Sequence, residues 1–222
     1  MVNVRPPREL PGAPARLTLP AGTPLFRLHS ARRAATAFNP APADCLYGGG
    51  RFDATRCDRY GYLYAGLTAE SAVCESLLRS VPFDPAGTPR LVPRAAVRGR
   101  RLSFLRLAAD LEVLSLLTGR DLASVGQDSW LVQAEAAEYP FTRHWGHWIR
   151  EHCDPWAQAF VWPSKREPGD RVVVLFGDRC PADALVRADT PPVDLDTAEG
   201  TRWLDLLLEP YQARVAPAED GR

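Results

Sequence analysis

Paired cysteine motifs are missing from this chain of 222 residues. Its cysteines, Cys45, Cys57, Cys74, Cys153 and Cys180, are odd in number and show no C-x-x-C spacing, so they support neither a zinc ribbon nor a disulfide scaffold. No apolar run, the N-terminal stretch included, has the length of a signal peptide or a membrane span, and the expected location is the cytoplasm, with no membrane partner. An excess of one charge is lacking too. Basic and acidic residues number 27 each, which gives no broad attraction to nucleic acid or to an anionic membrane. Lysine is nearly absent, Lys165 being the only one, so the positive charge is carried by arginine, whose planar fork suits phosphate where a few are buried. The common nucleotide and hydrolase signatures are absent as well. Gly48-Gly49-Gly50 is not followed by Gly-Lys-Ser/Thr, no G-x-G-x-x-G opens a helix, and there is no G-x-S-x-G.

What is present is enough apolar residue, 45%, to bury the core of one domain. Residues 1–23 are rich in proline and arginine and read as a flexible arm. A domain is expected over 24–180, with an insert at about 82–139, followed at 181–222 by a Pro-rich linker and a terminal helix. Alternation in Leu25-Phe26-Arg27-Leu28-His29 predicts a strand with Phe26 and Leu28 on one face and Arg27 and His29 on the other. Tyr60 to Gly66 has the aromatic content of a strand, and Thr68 caps a helix running from Ala69 to about Val81, with Glu75 at the edge of its buried face. Further expectations are a strand over Leu102–Leu107, a helix over Leu111–Leu117 closed by Gly119, and a helix from Phe141 to about Cys153. Strands over 159–164 and Val172–Phe176 and a docked helix over Thr201–Glu209 complete the reading. The mixture of strands, hairpin signals and helices indicates an α+β fold, not a doubly wound sheet.

Four segments carry the polar residues of interest: Leu25-Phe-Arg27-Leu-His29; Gly49-Gly-Arg51-Phe-Asp53; Tyr62-Leu-Tyr64-Ala with Ala72-Val-Cys-Glu75; and Trp162-Pro-Ser164 followed by Val173-Val-Leu-Phe-Gly-Asp178. In that order they resemble the RES domain family, named for its Arg, Glu and Ser, over roughly Pro24 to Asp178. Arg27 matches the family's first Arg, Glu75 the Glu of the A-x-x-E helix, and Ser164 the Ser before the last core strand. Arg51 and Tyr64 match two further positions. The resemblance implies a fold akin to ADP-ribosyltransferase toxins, an α+β core whose split β-sheet clamps NAD+. It also implies consumption of NAD+ by hydrolysis or phosphorolysis and, for many members, a helix-turn-helix antitoxin as partner. NAD+ is then substrate and not cofactor, phosphate is a candidate co-substrate, and no resident cofactor is expected.

The chemistry suits these residue types. Breaking the nicotinamide–ribose bond builds positive charge on the sugar, and a fixed carboxylate stabilises that transition state more than the ground state. Glu75 is assigned this role, with Arg27 and Ser164 completing the expected catalytic set. Arg27 and Arg51 could hold the pyrophosphate, Tyr64 offers a flat face to nicotinamide, and Ser164 a hydroxyl to ribose or carboxamide. Taken singly, each has an ordinary alternative: Glu75 and Arg79 form an i,i+4 surface pair worth about 0.3–0.5 kcal/mol, and His29 serves structure as readily as ribose. The reading leaves two other functions open, ADP-ribosyl transfer to a protein or nucleic acid, and a silent NAD-binding module. Val73, two residues before Glu75, stands where transfer to protein commonly uses a second carboxylate or Gln, which favours small acceptors. His144, His147, His152 and Cys153 cluster in one segment, but without H-E-x-x-H and with tryptophans beside them no metal site is expected. A homo-oligomer is compatible with the sequence.

Overall fold

The computed structural model describes residues 5–217. The ends of the expected arm and of the C-terminal segment, 1–4 and 218–222, lie outside the described residues. In chain order the elements are β1 (Arg16–Leu19), β2 (Pro24–Ser30), β3 (Tyr62–Gly66), α1 (Ala69–Leu77), β4 (Arg90–Val92), α2 (Arg94–Val97), β5 (Arg100–Leu107) and β6 (Leu111–Ser115). They continue with α3 (Gly119–Ser124), α4 (Trp130–Gln133), α5 (Tyr139–His152), β7 (Ala159–Pro163), β8 (Arg171–Phe176), β9 (Leu185–Arg187), β10 (Val193–Asp194), α6 (Ala198–Leu208) and β11 (Ala213–Val215). Nine strands form one sheet in the order β1-β6-β7-β8-β3-β2-β5-β10, with β9 also paired to β5. Only β6 and β7 run parallel within it; β4 and β11 make a separate parallel pair. The fold is α+β, with helices flanking a mixed sheet.

The central strands β7 and β8 are apolar except for the exposed Arg171 at the start of β8, because both faces are covered. Phe160, Trp162, Val174 and Phe176 pack on one side with Trp145 and Ile149 of α5, while Val161, Val173 and Leu175 pack on the other with Leu63 and Leu105. A third cluster joins α1 to α6, β4 and β11, and in it Leu204 and Leu208 of α6 are 0% exposed. The terminal helix therefore braces the helix that bears Glu75. Leu204→Ala is expected to lower unfolding free energy by about 2–4 kcal/mol, read from the urea midpoint at unchanged m-value.

One expectation of the fold needs correction. Leu111–Leu117 does not form a helix: Leu111–Ser115 is β6, held between β1 and β7, and the helix begins only at Gly119, capped by Thr118. Its run of leucines and valine lacks a decisive period, and burial on both faces of the sheet decides for strand. The segment expected as an insert, 82–139, supplies β5 and β6 to the sheet. The N-terminal arm is also partly ordered, with β1 pairing along β6 from Arg16↔Leu114 to Leu19↔Leu111.

Candidate active site

A cleft of ≈ 430 Å³ opens between β2, β3, α1 and the glycine turn before Arg51. The alternation of β2 turns Phe26 and Leu28 toward it, and β3 contributes Tyr62 and Tyr64. Helix α1 begins at Thr68, whose hydroxyl accepts the N–H of Ser71, and its first turn lies against Gly66, where a side chain would collide with Ala72 and Ser71. That close approach brings Glu75, on the second turn, to the cleft wall. The helix stops at Leu77, with Leu78 as its cap, short of the expected Val81.

Glu75 is held from three directions. Arg51 Nη1 stands 3.1 Å from its Oε1, the Ser164 hydroxyl donates to Oε2 at 3.3 Å, and the Lys165 backbone N–H donates to Oε2 at 3.0 Å. Arg51 is 2% exposed, lies over the rings of Tyr139 and Trp162, and is fixed at its carbonyl by the Thr142 hydroxyl. The i,i+4 pair of Glu75 with Arg79 does not form; Arg79 instead gives an N–H to the Tyr139 hydroxyl at 3.2 Å. Tyr64 accepts the Phe52 N–H at 2.9 Å, and burial, with Asp53 next in weight, pushes its phenol well above the usual range, so it stays neutral. Asp53 closes the turn: its Oδ2 accepts the Gly50 N–H at 2.7 Å and the Tyr62 hydroxyl at 3.1 Å. Arg143, 1% exposed, holds the same loop through the carbonyls of Asp44 and Gly48.

The structure thus brings together Arg51, Tyr64, Glu75 and Ser164, but not Arg27. Being opposite Phe26 and Leu28 on β2, Arg27 faces away from the cleft, and its Nη1 donates to the carbonyls of Ala35 at 2.5 Å and Ala37 at 2.7 Å. Its place here is to pin the loop after β2. Ser164 is 0% exposed and lies behind Glu75, where it orients the carboxylate and does not face the cleft as a ribose ligand would. Two cations that sequence reading did not assign, Arg79 and Arg100, do line the cleft, as do Asn39 and Ser76. Arg79 lies in the turn just after α1, four residues from Glu75, a signal available from its spacing; Arg100 lies far along the chain and has none. Two of the α5 histidines are held by backbone carbonyls, His147 by that of Asp53 and His152 by that of Trp148, while His144 is exposed. The Asp178 carboxylate at the end of β8 pairs with Arg150 of α5 at 2.9 Å.

His29 also faces away from the cleft. Its Nδ1 lies 2.9 Å from the Ser30 carbonyl and its Nε2 2.8 Å from the Ser103 hydroxyl, and burial, aided by Arg27, Arg101 and Arg100, lowers its pKa from 6.5 to about 4. Between these values the unfolded chain binds a proton that the folded chain does not. The contribution to stability is therefore full above pH 6.5 and is lost as pH falls toward 4. His29→Gln is expected to flatten that part of the melting temperature against pH, relative to the parent protein.

The sequence pattern of the RES domain matches residues 24–198. The chain belongs to the RES domain family. Its match spans the cleft and every residue that holds Glu75. No curated protein sequence matches the chain. Among solved structures, one chain of the crystal structure of the M. tuberculosis MbcT–MbcA toxin–antitoxin complex has a similar fold, with a TM-score of 0.57 at 18% identity over 83% of this RES chain and 90% of that one. Among the described residues no helix is long and apolar enough to cross a membrane.

Proposed function

We propose that this RES domain cleaves the nicotinamide–ribose bond of NAD+ and passes the ADP-ribosyl group to phosphate or water. The observation that carries the reading is the buttressed Glu75 carboxylate at the wall of a cleft with an aromatic hydroxyl and two further guanidiniums. As the C1′–N bond breaks, its electron pair leaves on nicotinamide, which departs neutral, and positive charge develops on the ribose. A carboxylate already fixed by Arg51, Ser164 and Lys165 needs no reorganisation to meet that charge. A lone pair of phosphate or water then forms the new C1′–O bond, and water gives up its proton. Tyr64 offers its ring to nicotinamide, while Arg79 and Arg100 take the pyrophosphate, the part the sequence assigns to Arg27 and Arg51, of which Arg27 faces away and Arg51 is engaged with Glu75. Val73 is 0% exposed, so the position two residues before Glu75 sits in the core and cannot serve a protein acceptor. This favours a small acceptor over ADP-ribosylation of a macromolecule.

The proposed partner is an antitoxin that covers the cleft. The toxin–antitoxin complex with a similar fold supports it, as do Leu46 and Tyr47, 65% and 75% exposed on the loop that leads into the cleft-lining Gly49 and Gly50. Purified protein given NAD+ in phosphate-free and in phosphate buffer tests the acceptor. Phosphate-dependent nicotinamide release with a phosphorylated ADP-ribose marks phosphorolysis, and ADP-ribose formed equally in both buffers marks hydrolysis. Intact NAD+ in both buffers refutes the proposal.

A further inference from the structure

We propose a second ligand site, a basic cavity on the opposite side of β2 and β5 from the cleft, which binds a phosphate-sized anion. The pairing of β2 with β5 sets Arg27 opposite Ser103 and His29 opposite Arg101, so these four share the face turned away from Phe26 and Leu28. Arg33, from the turn after β2, and Arg187, which sits opposite Leu105 on β9, complete the wall. The cavity they enclose is ≈ 90 Å³, room for one phosphate group and little more.

Its polar lining is Arg33, Arg101, Arg187, His29, Ser103 and Thr190, with no carboxylate among the described residues. An acid outside the lining pairs with one of these arginines. Asp194 accepts from Arg101 Nη2 at 3.0 Å, while Arg101 Nε is buried without a hydrogen-bond partner. Arg33 gives one N–H to Asn39, and Arg187 has no polar partner among the described side chains. His29, its ring nitrogens against the Ser30 carbonyl and the Ser103 hydroxyl, adds no charge at neutral pH, because burial and the arginines beside it hold its pKa at about 4. Neighbouring charges add to burial here: after burial, Arg27, Arg101 and Arg100 depress His29, and burial followed by Arg33 lowers Arg27 to about 10. Three guanidinium forks with spare N–H groups around a phosphate-sized space make a charge-assisted anion site. None of these residues lines the cleft, so the site stands whether or not the protein acts on NAD+.

The test is thermal unfolding of the full chain with inorganic phosphate, against chloride at matched ionic strength. The melting temperature is expected to rise and saturate with an apparent Kd on the order of 1 mM. Arg187→Glu, a change at an exposed side chain, is expected to abolish the rise, and Arg33→Ala, on a different segment, to weaken it by roughly tenfold. Arg79→Ala, which alters the cleft, is expected to keep it. No rise in the parent protein, a rise that survives Arg187→Glu, or a rise lost with Arg79→Ala overturns the proposal.

Discussion

Glu75→Gln is expected to lower kcat for NAD+ cleavage by about 10³-fold while leaving the chain folded. The amide keeps the shape of the carboxylate and can still accept from Arg51 through its carbonyl. It cannot satisfy the other side equally well. Oriented so, its NH2 meets the Lys165 N–H, donor against donor, where the carboxylate accepted at 3.0 Å. That mismatch is expected to cost about 1–2 kcal/mol of stability, a loss visible in urea but too small to unfold a domain of this size. The rate effect is larger because a neutral amide offers little to positive charge that exists only in the transition state. Steady-state kinetics on the two proteins, beside their urea curves, separates the two effects: kcat falls steeply, with KM nearly unchanged. A variant that retains the parent kcat removes Glu75 from the chemistry.

Arg51→Met is expected to destabilise the protein by about 3 kcal/mol, and adding Glu75→Leu to recover most of that loss without restoring activity. Arg51 is 2% exposed and Glu75 is 16% exposed, so removing the cation leaves a half-desolvated carboxylate facing an apolar side chain. Replacing both ends removes the uncompensated charge and refills the space beside Trp162 and Tyr139. The double substitution therefore distinguishes an ion pair kept for function from one kept for stability. If the pair exists for the fold, the double variant stays as unstable as the single one.

The parts of the fold legible in the sequence are those where local chemistry and tertiary packing agree. Thr68 caps α1 as its hydroxyl requires, β2 alternates as read, and Val172–Phe176 is too apolar to be anything but a buried strand. Leu111–Leu117 is ambiguous in the sequence because its apolar residues suit either period, and the neighbours β1 and β7 decide. Within 82–139, β5 joins the sheet through β2, β9 and β10, strands far from it in sequence. In the site, Glu75, Arg51 and Tyr64 were found by motif and meet in space, and the alternation that sends Arg27 away from the cleft was itself legible: Phe26 and Leu28 face the cleft, so Arg27 cannot. Ser164 was placed in the right neighbourhood but one layer too far forward. Arg100 was invisible because nothing near it in sequence marks it, and its position depends on the pairing of β2 with β5.

The bond that breaks defines the reaction. The most direct measurement is the mass of every product formed from NAD+ by the purified parent protein, with Glu75→Gln alongside. One free nicotinamide per NAD+ lost, with the adenine, both riboses and the pyrophosphate still joined in the other product, is the predicted result, and it disappears in the variant. Products split at the pyrophosphate, adenylate with nicotinamide mononucleotide, would contradict the account, as would NAD+ left intact by the parent protein.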